Sequence, residues 1–264
     1  MQLNLSFTYS IWVFLISVIL LWIFSKKLSE VVNFIDDEFN LGSSFGGTII
    51  LSIVTNLPEI AITVSAASKG NIDLAVGNIL GGIVIQSMLL VLFDFASRKE
   101  KKPLSALVSD KASILQGLFL ISILAFVILG KQLNQSMIAY RSTPPELLIA
   151  FSWIVSIILL RGIKDKKQTK LTKAVAPIYT RKSAITWLIS IAIIVLVFGV
   201  LLEATSDVIA THFNINGVVF GATILALVTS LPEISGGLAF VKDKTYQPII
   251  SDIFGGNAFY LFCF

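Results

Sequence analysis

Residues 47–88 align without a gap on residues 221–262, at a constant offset of 174, and twelve of the forty-two pairs are identical. The identities concentrate in two places. Thr55-Asn56-Leu57-Pro58-Glu59 matches Thr229-Ser230-Leu231-Pro232-Glu233, and Gly81-Gly82 matches Gly255-Gly256. Each copy is embedded in strongly apolar sequence, so a helix breaker and a carboxylate recur together where an apolar environment tolerates them least. Such a chain must be built as two similar halves around two interrupted helices.

The surroundings of the repeat identify the solvent. Only 14% of the residues are charged, against roughly a quarter in soluble domains. Apolar stretches able to cross about 30 Å of hydrocarbon fall at 8–25, 45–68, 72–95, 112–130, 146–162, 183–203, 216–240 and 246–264. An all-α polytopic membrane protein with eight helices is expected, in place of a soluble enzyme or a disordered chain. The first stretch is no secretory signal, because Lys26 and Lys27 follow it and no basic residue precedes it. The single Cys263 rules out an intrachain disulfide framework or a Cys-rich metal site. The net charge of +4 is no sign of nucleic-acid binding, since the basic residues sit in short clusters between apolar runs.

With the N-terminus outside, seventeen of the twenty Lys and Arg fall on the cytoplasmic side, and only Lys69, Lys131 and Arg141 do not. The first repeat copy then enters the membrane from the cytoplasm and the second from the exterior. Inverted repeats with interrupted helices are a transporter signature. The domain division expected is a first membrane half over 1–162, a basic cytoplasmic linker over 163–182 and a second half over 183–264.

Pro58 and Pro232 lack an N–H, and their rings clash with the carbonyls four residues back, at Val54 and Val228. Freed carbonyls, the hydroxyls of Thr55, Thr229 and Ser230 and the amide of Asn56 offer neutral oxygens, while Glu59 and Glu233 bring negative charge. That donor set suits a hard cation. A carboxylate at the bilayer centre costs about 2.5 to 3.5 kcal/mol on insertion scales. No Lys, Arg or His lies in the interior of any span to offset it, which leaves a bound cation or protonation. The following helices carry Asn78, Gly82 and Gln86 in the first copy and Asp252, Gly256 and Tyr260 in the second, each set spaced by four and so on one face, expected to turn toward the Glu-bearing helices. The glycines allow close helix packing.

Two inverted copies of T-[SN]-L-P-E, each followed by a Gly-rich polar helix, resemble the sodium/calcium exchanger superfamily of calcium/cation antiporters. The resemblance implies ten helices in two inverted halves and a midplane site where sodium, calcium or protons are exchanged by alternating access, with the first and sixth helices moving against the rest. It implies Glu59 and Glu233 as acidic metal ligands, with Thr55, Asn56, Thr229 and Ser230 adding oxygens. Gln86, Tyr260, Asn78 and Asp252 complete the candidate ion-binding set. Where the family usually has Ser then Asn or Asp, this chain has Gly82 then Gln86 and Gly256 then Tyr260. The last apolar segment stops at Phe264, so a truncated sequence lacking two helices is expected.

The expected function is sodium/calcium antiport in a prokaryotic inner membrane, with calcium and sodium as transported substrates and no cofactor. The alternatives are a proton-coupled cation exchanger and a non-transporting membrane subunit. No Walker motif or GxGxxG is present, so the driving force is expected to be an ion gradient. An intramembrane protease is disfavoured, because Ser235 has no intramembrane His and His212 is placed in the loop before the seventh helix.

Overall fold

A computed structural model describes residues 6–39, 51–100, 102–108, 111–132, 143–162 and 179–263. Among them all regular structure is helical: α1 Phe7–Phe39, α2 Leu51–Thr55, α3 Leu57–Ser68, α4 Ile72–Ala96, the short α5 Leu104–Leu107, α6 Lys111–Leu129, α7 Pro144–Gly162, α8 Arg181–His212, α9 Gly217–Phe220, α10 Ala226–Thr229, α11 Leu231–Lys242 and α12 Gln247–Cys263. A five-residue π segment, Gly221–Leu225, joins α9 to α10. A helix stands at each of the eight apolar stretches. Phe7–Val32, α4, α6 and α8 are long and apolar enough to cross a membrane, and Gly217–Thr229 with Leu231–Lys242, bent by 43° at the break, are so when taken together. Counted as crossings, the two interrupted helices are the second and the seventh. With each of the eight apolar stretches crossing once, an odd number of steps separates them and the two repeat copies run in opposite directions.

Two helices are longer than hydropathy alone indicates. α1 continues past residue 25 because Leu28, Val31, Val32 and Ile35 pack against Ile191 and Val195 of α8, with Lys27 and Glu30 paired at 2.8 Å on the other side. α8 continues past residue 203, so that His212 is its last residue, stacked on Phe7 at 3.6 Å between ring centroids. That corrects the placement of His212 in a loop: Glu203, Thr205 and Ser206 are polar but buried, and they face protein. Most of the linker 163–182, and the first four residues of the repeat, 47–50, lie outside the described residues.

α1 and α8 lie side by side, and α8 also packs along α3. Gly199 permits that approach, since a Cβ there would stand 2.6 Å from the Cβ of Ala61 and 3.1 Å from the carbonyl of Pro58. α4 lies against the first half of the other interrupted helix, and α6 and α7 lean on α12 through Leu120, Ile123, Ile149, Ala258 and Leu261. Where α3 turns into α4, Asn71 caps α4 by accepting from the Leu74 N–H at 3.3 Å and donates to Asp207 at 2.6 Å.

At that same end Glu203 is buried, with 1% of its side chain exposed, and it accepts from Ser65 at 2.8 Å and pairs with Lys69, which is 47% exposed. Removing the cation would strand a buried carboxylate. Lys69→Met is expected to cost about 1 to 3 kcal/mol, less than a fully buried pair because Lys69 is half in solvent. Glu203→Gln in the same chain should recover most of that loss, as read by thermal denaturation of the purified variants.

Candidate functional site

Both T-x-L-P-E segments break their helices, and they do so at the residue before the leucine. α2 ends at Thr55 and α3 starts at Leu57, while α10 ends at Thr229 and α11 starts at Leu231. Asn56 N–H still reaches the Ser52 carbonyl, at 3.3 Å, and the ladder resumes when Ile60 N–H bonds to the Asn56 carbonyl at 3.0 Å. Ser230 repeats the arrangement, with Ser230 N–H on Ala226 at 3.1 Å and Ile234 N–H on Ser230 at 3.0 Å. Pro58 and Pro232 then occupy the first turn of α3 and α11, where a missing N–H costs nothing.

The polar side chains at each break bond backward. Asn56 Nδ2 donates to the Ser52 carbonyl at 2.7 Å, and Ser230 Oγ and Thr229 Oγ1 donate to the Ala226 carbonyl at 2.8 and 3.1 Å. The hydroxyl hydrogens of Ser230 and Thr229 and one of the two amide hydrogens of Asn56 are thereby engaged. The oxygens of Ser230 and Thr229 keep lone pairs to offer, and Asn56 Oδ1, buried, has no hydrogen-bond partner among the described residues.

Glu59 and Glu233 sit in the first turns of α3 and α11. A helix N-terminus favours a negative charge by a few tenths of a kcal/mol up to about 2 kcal/mol, which offsets part of the cost of placing a carboxylate there. Glu59 is 0% exposed and Glu233 6%, and their four carboxyl oxygens are buried with no donor at full hydrogen-bond geometry among the described residues, the Thr229 hydroxyl being the side chain that Glu59 faces. α10 touches α3, and the two carboxyl groups are within electrostatic reach of one another and of Asp252. Asp252 accepts from Thr55 Oγ1 at 3.1 Å. No group of three or more His, Cys, Asp or Glu side chains converges on one point suited to a metal ion among the described residues. The charged donors gathered at the breaks are therefore the two Glu, with Asp252 turned toward Thr55.

The remaining candidates divide into two groups. Tyr260, Asn78 and Thr63 form a buried cluster: the Tyr260 hydroxyl is 2.7 Å from Thr63 Oγ1, and Asn78 Nδ2 donates to Tyr260 at 2.8 Å, to Thr63 at 2.9 Å and to the Glu59 carbonyl at 3.2 Å. Gln86 lies two turns farther along α4, buried, with no partner for its Oε1 among the described residues. One of the unusual glycines has a structural purpose. A Cβ on Gly256 would come within 2.6 Å of Asn56 Nδ2, and a Cβ on Gly82 would be 3.6 Å from the Tyr260 ring. Gly256 thus leaves space for Asn56 of the other half, whereas a Cβ on Gly82 would only reach ordinary contact with the Tyr260 ring. Sequence reasoning did not single out Thr63 or Glu203. Glu203 closes an apolar run at the same end as Lys69, and that pairing of an acid with a loop lysine was the available signal.

The sodium/calcium exchanger protein family matches residues 9–160 and 182–264. The chain belongs to that family. As a sodium/calcium exchanger family member it is an integral membrane protein. It is 27% identical over 221 residues to the inner membrane protein YrbG of Escherichia coli (strain K12), covering 81% of this chain and 65% of YrbG. It is 26% identical over 226 residues to CaxA of Alkalimonas amylolytica, proposed to be an antiporter, covering 84% of this chain and 68% of that protein. The chain spans about two thirds of the length of these relatives. Its fold is similar to that of the sodium-calcium exchanger NCX_Mj soaked with 100 mM Na+ and 10 mM Sr2+, with a TM-score of 0.63 at 20% identity, covering 97% of this chain and 79% of that one.

Proposed function

We propose that this protein is a secondary cation antiporter that exports calcium against sodium, at a midplane site whose charged ligands are Glu59 and Glu233. One observation carries the reading. Two buried carboxyl groups stand at the helix breaks of opposite halves with no donor at full hydrogen-bond geometry among the described residues, beside the oxygens of Thr55, Asn56, Thr229 and Ser230. Such a set matches the oxygen coordination of calcium better than that of any softer metal.

The distribution of basic residues puts the N-terminus outside, with membrane halves 1–162 and 183–264 joined by a cytoplasmic linker. The relationship to an inner membrane protein favours the same membrane for this chain. α1 and α8 pack on one another along their lengths and on the core through small residues such as Gly199, a contact suited to sliding past the two breaks and so to alternating access. A proton-coupled exchanger is the second reading. It draws on Tyr260, whose hydroxyl is engaged by Thr63 and Asn78 where a sodium ligand would otherwise stand.

Calcium flux into proteoliposomes under an imposed sodium gradient, and separately under an imposed pH gradient, tests both. Sodium-driven flux is expected. Flux driven by the pH gradient alone would establish the second reading, and flux under neither would contradict both.

A further inference from the structure

Along α12, Asp252 and Tyr260 stand eight residues apart, about 12 Å at 1.5 Å per residue, with Gly256 midway. They flank the region of the two breaks from opposite ends, and the flanks differ in chemistry. On the side of Asp252 there is a carboxyl group held by Thr55 at 3.1 Å. On the side of Tyr260 the hydrogen-bonded side chains among the described residues are neutral. The Tyr260 hydroxyl, Thr63 Oγ1 and Asn78 Nδ2 bond to one another at 2.7 to 2.9 Å, and Asn78 also binds the Glu59 carbonyl.

The ring of Tyr260 is 0% exposed, and it lies over Gly82 at the distance of ordinary contact from a Cβ placed there. A cation entering this flank would have to displace the phenol, detach Asn78 from the Glu59 carbonyl and exchange water for ligands that bring no added negative charge. A hard cation gains little from such a set.

We infer that Tyr260 closes one flank of the site, so that cation coordination is confined to the Glu59–Glu233 pair and the flank of Asp252. The inference rests on the reading of the two Glu as a cation site. Tyr260 is on this view a specificity-determining residue, not a ligand. Its consequence is stoichiometric: fewer monovalent ions are accommodated at once, and sodium competes with calcium one for one.

The test is equilibrium calcium binding to the purified full chain in detergent, displaced by sodium chloride. In the unaltered protein the displacement curve is expected to have a Hill coefficient of about one. Tyr260→Asn empties the volume beside Gly82 and supplies an amide oxygen, and should steepen the curve toward a coefficient of about two. Tyr260→Phe keeps the ring and should not steepen it.

A steep curve in the unaltered protein overturns the inference without recourse to any variant, as does a folded, monodisperse Tyr260→Asn whose curve matches the unaltered one. Steepening by Tyr260→Phe equal to that by Tyr260→Asn also overturns it. Calcium binding that is absent, or that survives in Glu59→Gln, overturns the cation-site reading itself and the inference with it.

Discussion

Glu59→Gln and Glu233→Gln are each expected to reduce calcium flux to the level of empty liposomes while leaving the helical bundle intact. Glutamine matches glutamate in shape and can donate as well as accept, so packing at the breaks is preserved. What is lost is the charge. Both carboxyl groups are buried and accept no hydrogen bond at full geometry among the described residues, and the Thr229 hydroxyl that Glu59 faces can serve an amide oxygen as well, so neither holds the fold together through a contact that the amide would break. An ionised carboxyl there carries an insertion cost of about 2.5 to 3.5 kcal/mol, which without a cation is avoided only by protonation to a group as neutral as the amide. The melting temperature in cation-free buffer should therefore equal or exceed that of the unaltered protein. Calcium at a hundred times its dissociation constant should stabilise the unaltered protein by about 2.7 kcal/mol, and that gain should vanish in either variant. A variant that loses flux together with its cation-free stability would point to a structural role for the carboxylate.

The second large effect concerns adjacent glycines with opposite expected outcomes. A Cβ on Gly81 would stand 2.4 Å from the Cα and 2.7 Å from the carbonyl oxygen of Ala222, both backbone atoms of the π segment. Neither can rotate away, so Gly81→Val must push α4 off the other interrupted helix. Overpacking of this kind costs about 1 to 3 kcal/mol in cores able to adjust, and more where only backbone is available to move. Gly81→Val should therefore fail to give a monodisperse protein on size exclusion. Gly82→Ala meets only the edge of the Tyr260 ring, at 3.6 Å, and Gly236→Ala meets nothing within 4 Å. Both should elute as the unaltered protein does. The contrast separates the need for a small residue at a helix crossing from a general preference for glycine in these segments.

Much of this architecture was legible in the sequence because lipid makes hydropathy a strong signal. A buried segment with no water to satisfy its backbone must be helical, so each apolar stretch yields a helix, and a proline beside a carboxylate marks where the helix opens. The duplication carried the inverted arrangement without any contact being known. The ends of α1 and α8 were not legible. Residues such as Lys27, Glu30, Glu203 and Thr205 read as the close of a span, yet the helices continue because one face finds protein instead of lipid.

The candidate site divides in the same way. Glu59 and Glu233 stood out through repetition at the same offset from proline. The Gly82 and Tyr260 departures from the family pattern were visible singly, but their partners come from opposite halves of the chain. Only the folded structure shows that the Tyr260 ring lies beside Gly82 and that Gly256 makes room for Asn56. Thr63 carried no signal at all. An apolar helix often carries a threonine that bonds its own backbone, and the value of this one arises from Asn78 and Tyr260 reaching it.

The most direct measurement is calorimetric titration of calcium into the purified protein and into the Glu59→Gln, Glu233→Gln double variant. Saturable binding to the unaltered protein, weakened by sodium and absent from the double variant, is the result expected of a cation site built on these two carboxylates. Binding retained in the double variant would contradict it, and would place the cation elsewhere in the bundle.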